Sequence, residues 1–192
     1  MLIAERLSDE ELMVEVLMGK QEALTALVER HYSLLLGYLY RLLNEDRFLA
    51  EDMVQETFLR LMQRGGYQPG RAFKPWLYAI ATNLARDHFK SAAVRHAVPQ
   101  GEEAMLAMSD TRLGPEEQAL VSEEGRLVAQ ALAYIKEEYR VVLLLRFYNG
   151  MSLQEIATTL HIPSGTVKSR LSVGTQRLRE LLVCMRREEV KR

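Results

Sequence analysis

The stretch IPSGTVKSRL, residues 162–171, sets proline, serine and glycine ahead of two cations, Lys168 and Arg170. Pro163 suits the start of a helix, where its missing N–H costs nothing. Gly165 does not, because glycine is a poor helix former. One reason for its use there is that something approaches the backbone closely. A second stretch, residues 67–90, interleaves Tyr67, Phe73, Trp76, Tyr78 and Phe89 with Arg71, Lys74, Arg86 and Lys90. Cations that follow a phosphate backbone, with rings on which bases stack, are what single-stranded nucleic-acid binding requires. Phe73 and Trp76 also fit a helical core, and a buried ring would position the loop 67–72. The chemistry on offer is recognition rather than bond making. No phosphate-cradling loop, nucleophile–base pair or metal triad is visible, and Gly65-Gly66 reads as a turn.

The elements that position these residues are helical throughout. Apolar residues recur at helical spacing, and nothing alternates with period two over a strand length. A first helix is predicted over 23–43, with a broad stripe that includes Leu24, Leu27, Val28, Leu35 and Leu39. A second, near 47–63, buries Met53, Val54, Thr57, Phe58, Leu61 and Met62, which turns Glu51, Asp52, Gln55 and Glu56 toward solvent. A third runs from about 74 to 90 with Leu77, Ile80, Ala81, Leu84 and His88 on one face. His88 reads as a partly buried helix residue, since no second His or Cys stands at metal spacing. Residues 92–115 lose periodicity and read as a linker. Helices resume over 116–135 and 136–148, then Asn149-Gly150 turns the chain. Ser152-Leu153-Gln154-Glu155 has the form of a capping box. A short helix, a tight turn at His161-Ile162 and a second helix follow. In that last helix Val167, Leu171, Gly174, Leu178 and Leu181 share one face, while Gly165, Lys168, Ser169, Ser172 and Gln176 project from the other. This is the helix-turn-helix pattern, with an ordinary helical hairpin as the alternative. Gly165, Thr166 and Ser169 are then small because the helix end sits against a major-groove edge, and Lys168 and Arg170 reach phosphates or base acceptors.

The expected architecture is all-α: two small helical domains, 1–91 and 116–192, joined by a flexible linker, 92–115. With 192 residues, 48% of them hydrophobic, the chain is long enough to bury a core in each. Cys184 is the only cysteine, so an internal disulfide or cysteine–zinc cluster is excluded and a reducing cytoplasm fits. The N-terminus is acidic and broken by charges, and no apolar run could cross a bilayer, so neither a signal peptide nor membrane insertion is expected. The net charge of −1 conceals alternating blocks. Residues 71–96 and 161–192 are basic; 1–31 and 99–125 are acidic. Two basic blocks on a chain that is not globally basic suggest two anion-binding surfaces, although solvated helix faces would look the same.

YRVVLLLRFYNGMSLQEIATTLHIPSGTVKSRLSVGTQRLREL resembles the promoter-binding C-terminal domain of extracytoplasmic-function (group IV) sigma factors of bacterial RNA polymerase. AEDMVQETFLRLM and YQPGRAFKPWLYAIATNLARDHFK are similar to the same family's N-terminal domain, in the right order. The resemblance implies an alternative sigma factor, a non-catalytic specificity subunit without cofactor or metal. It implies that Glu51, Asp52, Gln55 and Glu56 dock on core polymerase. The loop 67–72 and the helix after it would then read the melted minus-ten element, through Tyr67, Arg71, Phe73, Lys74, Trp76, Tyr78, Asn83, Arg86 and Lys90. Ser164, Gly165, Thr166, Lys168, Ser169, Arg170 and Arg177 would read duplex DNA at minus thirty-five. The implied partners are core polymerase, promoter DNA and an anti-sigma factor. The sequence departs from the family at His161, where glycine is usual, at Val173, where a basic residue is common, and at Ile135-Lys136, where leucine-proline is usual. The competing reading is a free-standing helix-turn-helix regulator of duplex DNA, which leaves the aromatic-basic stretch and the acidic helix face without work.

Overall fold

Residues 7–63, 66–97 and 123–189 are described by a computed structural model, and every regular element among them is helical. The first element is one the sequence reading passed over. Ser8 caps α1 (Asp9–Leu17): its hydroxyl accepts from the Glu11 N–H at 3.2 Å, and Glu11 Oε2 accepts from the Ser8 N–H at 2.7 Å. That reciprocal pair is a capping box, and these bonds hold the Glu11 carboxyl below its usual pKa. The helix stops at Gly19, whose φ of 89° only glycine adopts freely; Gly19 N–H bonds Val16 O and Lys20 N–H bonds Glu15 O.

Then come α2 (Gln21–Leu42), α3 (Arg47–Met62) and α4 (Phe73–Ala97). Helix α4 continues past Lys90 because Ala92 and Ala93 are strong helix formers. It therefore takes in the first residues of the expected linker. The rest of that linker, 98–115, the segment 116–122 and Gly65 lie outside the described residues. The chain divides into two units, one reaching Leu39 and resuming at Leu49 through α4. Its core is Leu12 and Met13 of α1, Leu27, Leu35 and Tyr38 of α2, Val54 and Leu61 of α3, and Phe73, Leu77 and Tyr78 of α4. Two polar groups enter that core together: the Tyr38 hydroxyl and Thr82 Oγ1 lie 2.8 Å apart, and Thr82 also donates to Tyr78 O. Met62 stands outside it, about half exposed.

The other unit takes in Tyr40–Phe48 and holds α5 (Glu123–Ala133), α6 (Glu137–Leu143), α7 (Leu153–Leu160) and α8 (Ser164–Glu189). Where leucine-proline is usual, the Ile135-Lys136 turn is fixed by Arg140, whose buried guanidinium donates to Ala133 O and Ile135 O. Burial lowers the Arg140 pKa, and Glu137 opposes that shift. Helix α6 widens into a π-type turn, Leu144–Tyr148, closed by Asn149 N–H on Leu144 O at 3.0 Å. Gly150, at φ 67°, then redirects the chain.

The Ser152 capping box is present in full, and α7 ends on His161 in the left-handed region, φ 54° and ψ 43°. A side chain there costs about 1–2 kcal/mol relative to ordinary backbone. Glycine would remove that strain but widen the unfolded ensemble. His161→Gly is therefore expected to raise stability by about 0.5–1 kcal/mol, seen as a higher urea midpoint at unchanged slope.

Candidate nucleic-acid and polymerase interfaces

Helix α8 begins after Pro163, whose carbonyl accepts the first intrahelical bond from Val167 N–H at 3.1 Å. Val167 and Gly174 are buried, and Leu171 and Leu178 are partly so. Ser164, Gly165, Lys168, Ser169, Ser172 and Gln176 are exposed, and Thr166 is half-buried. The two glycines of this helix have different causes. A Cβ on Gly174 would lie 3.2 Å from Tyr139 Cβ and from Leu143, so close packing of α8 on α6 demands glycine there. A Cβ on Gly165 would meet nothing within 4 Å, and its φ is not positive. Nothing inside the described chain asks for glycine at 165.

The cations of α8 divide. Lys168 points outward with the small polar residues. Arg170 lies about 160° around the helix from it and is ion-paired to Glu138 of α6 at 3.1 Å, its side chain only 24% exposed. One residue on, Tyr139 sits under the Arg177 guanidinium, 4.8 Å from ring centre to Cζ. Arg170 and Arg177 thus share the flank that faces α6, away from Lys168, Ser169 and Gly165. No local pattern in the sequence reveals these partners, because they lie more than thirty residues away in the chain.

The aromatic-basic stretch divides the same way. Tyr67, Phe73, Trp76 and Tyr78 are all buried, Tyr67 at 7% and Trp76 at 6% exposure. Tyr67 stands edge-on to Trp76 at 5.0 Å and to Phe73 at 6.2 Å. These rings pack on one another and are buried. What they position is a short, closed loop. Gln68-Pro69-Gly70-Arg71 is a turn with Gly70 at φ 88°, Arg71 N–H on Gln68 O at 3.1 Å, and the Tyr67 hydroxyl donating to Arg71 O at 2.5 Å. Burial first, and the Glu10 carboxylate second, push the Tyr67 pKa up, with Arg71 opposing. Gln68, Pro69, Gly70 and Ala72 are exposed at the tip, with Arg71 and Lys74 half-buried beside it. Further along α4, Asn83 and Lys90 are exposed and Arg86 is half-buried, all on one side of the helix.

On α3 the buried set is Ala50, Met53, Val54, Thr57, Phe58 and Leu61. Asp52 and Gln55 are exposed, Glu51 is half-buried, and Glu56 is bound by Arg60 at 2.8 Å. Leu59 and Met62, 53% and 49% exposed, continue the line of Asp52 and Gln55 along the helix. The sequence reading missed them as surface residues. The signal was their spacing of seven and ten from Asp52, which puts them on its side of the helix. Among the described residues no helix is long and apolar enough to cross a membrane, and no group of His, Cys, Asp or Glu could hold a metal ion.

The Sigma-70 region 2 family matches residues 27–95 and the Sigma-70 region 4 family matches 125–178. The ECF RNA polymerase sigma factor SigL of Mycobacterium tuberculosis is 36% identical over 156 residues, 80% of this chain and 85% of its own. The RNA polymerase sigma-H factor of Pseudomonas aeruginosa is 30% identical over 187 residues, 94% of this chain and 96% of its own. Among solved structures, CnrH, in complex with the cytosolic domain of CnrY, superposes with a TM-score of 0.70 at 25% identity, over 92% of this chain and 97% of that one. RpoE of Bartonella quintana, crystallised with the anti-sigma factor NepR, has the same fold, with a TM-score of 0.59 at 22% identity over 80% of this chain and 94% of its own. Two sigma-factor regions in the right order along one chain leave a free-standing regulator without support. The chain belongs to the extracytoplasmic-function sigma factors of bacterial RNA polymerase, which direct promoter-specific transcription.

Proposed function

We propose that the two units divide the promoter between them. The unit with α5–α8 reads duplex DNA at the minus-thirty-five element through the start of α8, where Gly165, Lys168 and Ser169 meet the major groove and Ser164 and Thr166 support them. The observation that carries this is Gly165: exposed, in open space, and required by no internal contact. Arg170 and Arg177 act from the flank, fixing α8 on α6 through Glu138 and Tyr139.

The unit with α1–α4 docks on core polymerase through Asp52, Gln55, Leu59 and Met62 of α3, with Glu51 and Glu56 at the margin. It meets the melted minus-ten strand with the loop 67–72 and the Asn83, Arg86 and Lys90 side of α4. Tyr67, Phe73 and Trp76 hold that loop from beneath, while Tyr78 packs inward on Tyr38. The chain supplies specificity rather than catalysis, works in the cytoplasm where polymerase is, and is held inactive by an anti-sigma protein; RpoE is co-crystallised with the anti-sigma factor NepR, and CnrH is in complex with the cytosolic domain of CnrY.

The test is run-off transcription with purified core polymerase and genomic fragments. Discrete transcripts that appear only when the chain is added support the reading. Tight, sequence-specific duplex binding by the chain alone, indifferent to core, would overturn it.

A further inference from the structure

Helix α1 lies outside residues 27–95, the part that the region 2 family matches, yet its three consecutive acids do three separate jobs. Glu11 closes the capping box of α1 itself. Asp9 binds α2, with Oδ1 accepting from Arg30 at 3.0 Å and Oδ2 from His31 Nε2 at 2.7 Å. Arg30 also donates to Leu7 O at 2.8 Å, so the entry to α1 is held at two points. Glu10 reaches across to α4, where its Oε1 accepts from the Phe73 N–H at 2.9 Å.

The site of that bond matters. Phe73 is the residue at which the loop 67–72 becomes helix, and the loop carries the exposed tip. Its ring is fully buried, 5.2 Å from His31, the residue Asp9 holds, and 6.0 Å from Trp76. Trp76 packs on Tyr67, and Gly66 lies against the edge of the Trp76 ring, where an added Cβ would stand 3.4 Å away. Tyr67 closes the loop on Arg71 O, and its hydroxyl feels the Glu10 charge. Glu10 therefore touches the loop at its exit and acts on it at its entrance.

We infer that α1 is the positioning element of the loop 67–72, and that Glu10, by capping the first turn of α4, sets the loop's geometry for the melted strand. Leu12 and Met13, both buried, anchor α1 so that Glu10 is delivered at a fixed depth. The inference rests on reading this loop as the minus-ten surface.

The experiment uses the full chain with core polymerase and a dye-labelled single strand, the non-template strand of a promoter recovered by run-off transcription. It is run well below the melting temperature, which is measured for each variant. Glu10→Ala should weaken strand binding by about five- to tenfold, the scale of losing one helix cap. Core affinity and binding to the minus-thirty-five duplex should not change. Glu10→Gln keeps a carbonyl acceptor for the Phe73 N–H and should stay within about twofold of the parent. Trp76 is the only tryptophan, so emission of the free chain reports the loop directly. It should shift in Glu10→Ala and not in Glu10→Gln. Equal losses in the two variants would overturn the capping role, because charge and not the hydrogen bond would be at work. Unchanged strand affinity and emission in a folded Glu10→Ala would overturn the inference outright. Failure of the unsubstituted chain to bind the strand with core would instead overturn the minus-ten reading beneath it.

Discussion

Asp52→Lys should abolish transcription by added core polymerase while the chain stays folded. Helix α3 spends one side on the core, through Met53, Val54, Thr57, Phe58 and Leu61. Asp52 stands on the other side with Gln55, Leu59 and Met62. Fully exposed helix positions tolerate substitution within about 0.5 kcal/mol, so melting should barely move. On the proposed docking, affinity comes from apolar residues, Leu59 and Met62, and register from charges. Reversing a charge inside such a patch places like charges together, at a cost of several kcal/mol, or about a hundredfold or more in affinity. Glu56→Gln should do much less, because that carboxylate is already engaged by Arg60 and the pair is half exposed. Core binding by competition, alongside run-off transcription, reads both effects. Full activity from Asp52→Lys would remove α3 as the docking surface.

Why some of this was legible in the sequence and some was not has a physical basis. The α7–turn–α8 segment is written in local terms: a capping box at Ser152, apolar steps through Ile156 and Leu160, and a proline at the start of α8. Each constrains its neighbours within four residues, so the pattern survives without knowledge of the fold. Helix α1 was equally local, with Ser8 and Glu11 in capping-box register, but its run of acids draws the reading to charge and to what it excludes, a signal peptide or a membrane span. The aromatic residues were ambiguous because rings suit both a core and a stack of bases. In the fold, Phe73, Trp76 and Leu77 fall on the buried side of α4, and Tyr67 folds back on them. Arg170 and Arg177 read from the sequence as DNA contacts and Glu10 as one acid among several, since Glu138, Tyr139 and the Phe73 N–H, their partners in the fold, are remote in sequence. Their roles are tertiary.

Gly165→Val should leave melting unchanged or slightly raised and yet cut minus-thirty-five binding by about 10- to 100-fold, the worth of one good base contact. The stability half follows from the open space around Gly165 and from the better helix propensity of any side chain over glycine. Gly174 is the contrast, since a side chain there would press into Tyr139 and Leu143. The binding half follows if the backbone at 165 lies against the groove, because a branched side chain would hold the helix off by more than a hydrogen-bond length. Two alanine variants then separate the cations. Lys168→Ala should lower affinity for all sequences and reduce the salt slope by about one unit, as one phosphate contact is lost. Arg170→Ala should lower affinity without changing the slope, since its guanidinium is already spent on Glu138. Affinities of the holoenzyme for duplex promoter over a range of salt measure all three. A Gly165→Val holoenzyme that binds and transcribes like the parent would show that the start of α8 does not face DNA. A slope reduced by Arg170→Ala and not by Lys168→Ala would put the wrong side of α8 against the phosphates.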